Sequence, residues 1–438
     1  MALWVYTPFL SEVIMAKKKE ETKENFGVVA EPRVSMGSDL LDLLVGGDKG
    51  VYGLPFGAIL QLYGDSSTGK TFVKNEIIAA TYWALKKLGI PFTWESDDCE
   101  TGDTFDTSRM YGFDIHPSDR RIGTKVVHDS ETIEEMDAKL SLMIQSIPAG
   151  AFGIYAVDSL DGLADATKKK KEAERLKKLE SGDEVVDAGD YGAQIAKFLS
   201  QDFFRNKHRA LEKAHILLVI VSQTRTNMGA GNYAPKRKTS NGDAMEFYCH
   251  TRILFKRVSD IVKNGKKVGV YVKATTTKSK TPRPYREVFY SAYFDYGIDN
   301  IGSNIDYLFD LRTADEGKLK KSAEAIAWSE NAKSKSFDNL KQWLQDNNLM
   351  DACKADKKAT TNSTALSAGW ILDWVNGKDQ SIKDSFDAYF GEEYTRDELI
   401  KLCEDNPEMN AELTRRVREK WEALEDAVAT NRPSKYGT

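Results

Sequence analysis

Lys70 and Thr71 close the run Gly64-Asp65-Ser66-Ser67-Thr68-Gly69-Lys70-Thr71, which fits the pattern G-x-x-x-x-G-K-[ST]. Two glycines at this spacing let the backbone bend so that successive amides face one point. A lysine there can reach the β- and γ-phosphates of a nucleotide, and the threonine hydroxyl can hold Mg²⁺. A carboxylate must serve the metal from the other side, and Asp158 ends the apolar run Ile154-Tyr155-Ala156-Val157. The expected nucleotide contacts are therefore the loop residues Gly64, Asp65, Ser66, Ser67, Thr68, Gly69, Lys70 and Thr71, then Phe72, with Asp158. Thr71 and Asp158 are the expected metal residues, and Ser159 could share the metal's water shell.

Hydrolysis also needs a group that orients the attacking water. An acidic cluster, Glu95, Asp97, Asp98, Glu100 and Asp103, supplies the candidates. Glu100 is preferred, with Glu95 and Asp98 as alternatives; at least two of the five carboxylates read as a solvated acidic loop. Gln223 follows the apolar run Leu217 to Ser222. A neutral amide at such a strand end could sense a γ-phosphate and pass its state to the loop beyond.

These residues need elements to hold them. Ala58 to Tyr63 reads as a buried strand and Phe72 to Leu88 as a helix, so the glycine loop lies between strand and helix, with a helix N-terminus aimed at it. Further strands are expected at Pro91–Trp94, Phe152–Leu160 and Ile216–Ser222, a strand–helix unit at about 122–148, and a helix near 192–213. Strands alternating with helices give an α/β fold with a mostly parallel central sheet. From Arg252 to about 309 the chain becomes strand-rich, with a hairpin turn at Lys263-Asn264-Gly265-Lys266. Beyond about 313 it reads as helical, with Trp343, Trp370 and Trp374 expected in a core, a partner surface being the alternative. The expected division is an N-terminal arm at 1–33, an ATPase core at 34–312 and a mainly helical domain at 313–438.

The chain has 438 residues, 62 basic against 67 acidic, and a formal charge of −5. With no global basic field, any nucleic-acid surface must be local. Two segments offer one. Residues 165–190 hold Lys168, Lys169, Lys170 and Lys171. Residues 224–243 hold Arg225, Asn227, Lys236, Arg237 and Lys238, with Gly242 among several glycines that allow close approach to a phosphate backbone. Four scattered cysteines without a C-x-x-C suit a reduced cytosol, and five scattered histidines give no metal cluster. The apolar stretch Met1–Ile14 is too short and interrupted to span a bilayer. Met15 opens Met-Ala-Lys-Lys-Lys-Glu-Glu, so translation is expected to start at Met15 or, if 1–14 anchors onto a neighbouring subunit, at Met1.

In order and spacing these parts resemble the RecA family of ATP-dependent recombinases, in its bacterial and phage branch. The resemblance rests on Met36-Gly37-Ser38-Asp39-Leu40-Leu41-Asp42 with Gly53-Leu54-Pro55-Phe56-Gly57 before the glycine loop. It rests also on Glu100 twelve residues ahead of Gly112, on Val157-Asp158-Ser159-Leu160, on Ser222-Gln223-Thr224-Arg225 and on Asn241-Gly242-Asp243-Ala244. Lys278-Ser279-Lys280 before Pro284-Tyr285 resembles the family's lysine pair, and Glu404 to Glu419 its C-terminal domain. The resemblance implies a RecA-like core with ATP and Mg²⁺ as cofactors and a cytoplasmic location. It also implies a helical filament on single-stranded DNA that pairs with homologous duplex, and no membrane association. Lys70, Glu100 and Gln223 would act from one subunit, Lys278 and Lys280 from the next. A recombination mediator or ring helicase on the same fold is the alternative. The arm is shorter than in the family, and residues 313–400 carry additional sequence.

Overall fold

The computed structural model describes residues 33–46, 49–166, 174, 177, 192–226, 237–239, 242–281, 284–312, 326–328, 335–391 and 393–429. The N-terminal arm before Arg33, with both candidate start sites, and Lys168–Lys171 lie outside the described residues, as do Asn227 and Lys236.

Nine strands build the main sheet: β1 Ile59–Gly64, β2 Phe92–Asp98, β3 Phe152–Asp158, β4 Ile216–Thr226, β5 Arg237–Thr239, β6 Thr251–Lys263, β7 Lys266–Ser279, β8 Glu287–Tyr293 and β9 Gly297–Asp299. Their order is β9-β8-β7-β6-β1-β4-β3-β2, with β5 on β4. Strands β6, β1, β4, β3 and β2 run parallel to one another, whereas β7, β8 and β9 continue the sheet antiparallel. The sheet is thus mixed. Its parallel half is apolar on both faces because helices cover both, and every residue of β3 is buried. The expected hairpin joins β6 to β7, with Asn264 and Gly265 both at positive φ.

Three local readings change. Strand β2 runs on to Asp98, so Glu95 and Asp97 belong to the strand and are buried at 1% and 0% exposure instead of lying in a solvated loop. Paired partners make that burial tolerable: Arg120 stands 3.6 Å from Glu95, and Lys139, Ser130 and Tyr155 surround Asp97. The segment near 122 forms a two-residue ladder, Arg121–Ile122 on Lys125–Val126, apart from the main sheet. Strand β4 extends through Thr226, and Thr224 to Thr226 pair with Arg237 to Thr239 as an antiparallel ribbon where an irregular loop was expected.

Helices cover the sheet. Helix α1 (Asp39–Val45) is buried along its whole length. Helix α2 (Lys70–Lys87) follows the glycine loop. Helix α3 (Ile133–Ser146) starts in a capping box between Thr132 and Glu135 and packs Met136, Leu140 and Met143 into the core with Phe203, Phe204 and Leu211. Helix α4 (Phe204–Ala214) ends with His215 in the left-handed region. Helix α5 (Gly242–Tyr248) leads into β6.

The described residues fall into two compact units. The first comprises those up to Leu308 together with Asn410 onward. The second lies within 309–409. The last helix, α6 (Pro407–Ala427), therefore sits mostly with the core unit instead of with the helical region expected to contain it. Tyr52 donates to Glu422 at 2.7 Å, and Arg286 makes a two-pronged pair with Glu425. In the second unit Trp343 is fully buried, edge-on to Phe386 at 4.9 Å, with Trp374 in the same cluster and Trp370 packed against it. A short pairing of Ile326–Ala327 with Glu393–Tyr394 adds strand where only helix was expected. All four cysteines are unpaired. Among the described residues no helix is long and apolar enough to cross a membrane.

Candidate nucleotide site

Register brings the ends of β1, β2 and β3 together with Gln223 of β4 at one end of the sheet. Gly64 at the end of β1 lies opposite Gln223 on β4, Val157 opposite Ile220, and Asp98 at the end of β2 opposite Asp158 at the end of β3. In open α/β sheets ligands bind beyond the carboxyl ends of the strands. The loop 64–71 rises there. Gly69 at φ +83° is the first reason it needs glycine. Gly64 is the second: a Cβ at that position would meet the Phe255 carbonyl oxygen at 2.3 Å. Thr68 is buried and donates to the Asp65 carbonyl at 2.9 Å, while Ser66 and Ser67 are exposed. Helix α2 begins at Lys70 with no side-chain cap and no acidic residue in its first turn, so its amides and partial positive charge are not cancelled.

Lys70 is buried and its Nζ donates to the carbonyls of Asp65 at 2.6 Å and Gly64 at 3.1 Å. Burial pulls its pKa below the ordinary lysine value, with Asp158 and Glu100 acting against that shift. The Thr71 hydroxyl donates to Asp158 Oδ2 at 2.8 Å. This pair of hard oxygens, one neutral and one anionic, suits Mg²⁺.

The three rival carboxylates have separate fates. Glu100 lies two residues beyond the end of β2. Its carboxylate accepts from the Gln223 amide nitrogen at 3.1 Å to each oxygen, and from the Ser159 hydroxyl. Asp98 accepts from the backbone amides of Gly102 and Asp103 and so fixes the turn that carries Glu100. Glu95 is held inside against Arg120, and burial pushes its carboxyl up to about 7. Glu100 is thus the one of the three that meets Gln223.

Further contacts went unread in the sequence. Asp161 Oδ2 accepts from the Gln223 backbone amide at 2.8 Å, and the Thr224 hydroxyl donates to the Asp65 carboxylate. Lys74, one turn along α2 from Lys70, is fully buried between Asp103 at 2.8 Å and Asp158 at 3.5 Å. The signal was present as a lysine amid Phe72, Val73, Ile77 and Ile78 on a buried helix. Phe72 itself is buried against Phe105, their ring centroids 4.6 Å apart.

Lys278 and Lys280 do not join this group. Lys278 pairs with Arg252, which pairs with Gln61, and Lys280 donates its backbone amide to His250. Both therefore lie toward the start of β1, whereas the loop leaves its end. The offset is about 10 Å along the strand, with two strand spacings of about 4.8 Å across it. The Lys278 ammonium caps α5, donating to the carbonyls of Glu246 and, at 2.8 Å, Phe247. Lys280 lines a pocket of about 390 Å³ with His208, His215 and His250. Of the proposed DNA residues, Arg225, Arg237, Lys238 and Gly242 are described through their backbone alone.

The family model for the RecA N-terminal domain matches residues 137–299, which include Asp158, Gln223, Lys278 and Lys280 and begin after the glycine loop and Glu100. The RecA protein of Helicobacter hepaticus is 26% identical over 335 residues, covering 75% of this chain and 84% of that protein. That of Wolinella succinogenes is 25% identical over 319 residues, covering 72% and 78%. Among solved structures, the crystal structure of the RadB recombinase aligns with 60% of this chain and 98% of its own, at 14% identity and a TM-score of 0.37.

Proposed function

From its similarity to RecA proteins, we propose that this chain is an ATP-driven DNA recombinase that assembles as a helical filament on single-stranded DNA and pairs it with homologous duplex. The observation that carries the reading is the meeting of Glu100 with Gln223 beside Lys70, Thr71 and Asp158 at one sheet edge.

The chain's own groups divide the work. Amides of 64–71 and the Lys70 ammonium would take the β- and γ-phosphates of ATP. Thr71 and Asp158 would hold Mg²⁺, which offsets charge on the phosphate oxygens as the terminal phosphoryl departs. Glu100, fixed by two neighbours, would orient the attacking water and accept its proton on the carboxylate. Its link to the Gln223 amide ties that carboxylate to β4, and β4 runs straight into the segment proposed to grip DNA. A change in the contacts of Glu100 would thereby reach 224–243 through one side chain.

Lys278 and Lys280 lie back along the sheet from the glycine loop, so a role for them at phosphate is proposed to come from a second copy of the chain. In that arrangement they would stabilise the charge of the departing phosphoryl group from across a subunit boundary. Nucleotide would then bind subunits to one another, and many weak local DNA contacts would add along the filament despite the acidic total. Electron microscopy with single-stranded DNA and a slowly hydrolysed ATP analogue tests this reading. Helical filaments are expected; closed rings, or no assembly, would contradict it.

A further inference from the structure

A buried ammonium beside a proposed metal carboxylate asks for a role. Lys74 has no exposed side-chain surface. Its Nζ lies 3.5 Å from Asp158 Oδ2, the same oxygen that receives the Thr71 hydroxyl. On its other side Asp103 Oδ2 accepts from Lys74 at 2.8 Å, from Asn75 Nδ2 at 3.0 Å, and meets His116 Nε2 at 2.7 Å. Lys74 is thus held by ion pairs to two carboxylates, Asp103 and Asp158, the second at the metal position.

We propose that Lys74 is a positioning residue that holds Asp158 through Oδ2 and weakens the site's grip on divalent metal, with Asp103 setting how much of its charge Asp158 feels. The proposal rests on the nucleotide reading of this site. A cation fixed about one ion-pair distance from Asp158 repels an incoming dication and competes for the same oxygen. Asp103 draws the ammonium the other way. Removing Asp103 alone should strengthen the competition, whereas removing both charges should abolish it. A purely structural ion pair would not give opposite signs.

The full chain, as wild type, Asp103→Asn and Lys74→Met/Asp103→Asn, is titrated with Mn²⁺ in the presence of ADP, and free Mn²⁺ is read by electron paramagnetic resonance. Circular dichroism checks folding. The double variant is expected to bind Mn²⁺ on the order of tenfold tighter than wild type, and Asp103→Asn several-fold weaker. Changes of the same sign, or shifts under about twofold in both, would overturn the proposal while normal wild-type uptake left the nucleotide reading standing. A wild-type protein that took up no Mn²⁺ with ADP would refute both. Should the double variant not fold, the sign for Asp103→Asn decides.

Discussion

At Lys70 the ammonium donates to two carbonyls of its own loop, which holds it at the loop proposed to take phosphate. Lys70→Ala removes that charge without opening the core. ATP turnover is expected to fall at least about 10²-fold, with little change in melting temperature; normal hydrolysis by this variant would refute the assigned loop. Glu100→Gln keeps the shape and the partners but cannot accept a proton. Hydrolysis is expected to drop about 10²- to 10⁴-fold while nucleotide binding, followed by equilibrium fluorescence, persists. Loss of binding in step with turnover would argue that Glu100 merely braces the fold.

At the scale of elements, α2 is held to the sheet by more than apolar contact. Glu76 on this helix is part-buried and accepts the Ile298 amide of β9 at 3.0 Å. Burial pushes its carboxyl up to about 8, above the ordinary 4.5. A raised native pKa means that the native state holds the proton longer than the unfolded chain. The associated stability is complete below about pH 4.5 and is lost as pH rises through about 8. Glu76→Gln keeps an acceptor for Ile298, so its melting temperature should fall less than that of wild type between pH 5 and 9; parallel curves would exclude the effect.

The same scale shows what sequence could convey. Glycine loop, strand-ending Asp158 and Gln223 were legible because each follows an apolar run that can only be a buried strand, and the hairpin at Asn264-Gly265 carries its own turn chemistry. Glu95 and Asp97 misled because charged residues read as loop. What buries them is Arg120, Lys139, Ser130 and Tyr155, more than twenty residues away in the chain and invisible to a local pattern. Lys74 is hidden from a local pattern for the same reason, its two partners being Asp103 and Asp158. The last helix reads from sequence with its chain neighbours, whereas pairings such as Glu422 with Tyr52 unite it with the core.

For the whole molecule, the offset of Lys278 and Lys280 from Lys70 along the sheet is what the proposed sharing of a site between two subunits rests on. Mixing Lys70→Ala with Lys280→Ala subunits should recover part of the lost ATPase, because some boundaries then join two intact halves; no recovery at any ratio would argue against sharing. In the second unit, Trp343→Ala is expected to cost about 3–5 kcal/mol of that unit's stability, seen as an earlier local melting step; an unchanged thermogram would count against its core role. The central claim is that nucleotide is clamped between copies gathered on DNA. Steady-state ATP hydrolysis, measured across protein concentration with and without single-stranded DNA, tests it most directly. Little turnover is expected without DNA, and a cooperative rise with it. Full-speed hydrolysis by a lone subunit, indifferent to DNA, would contradict it.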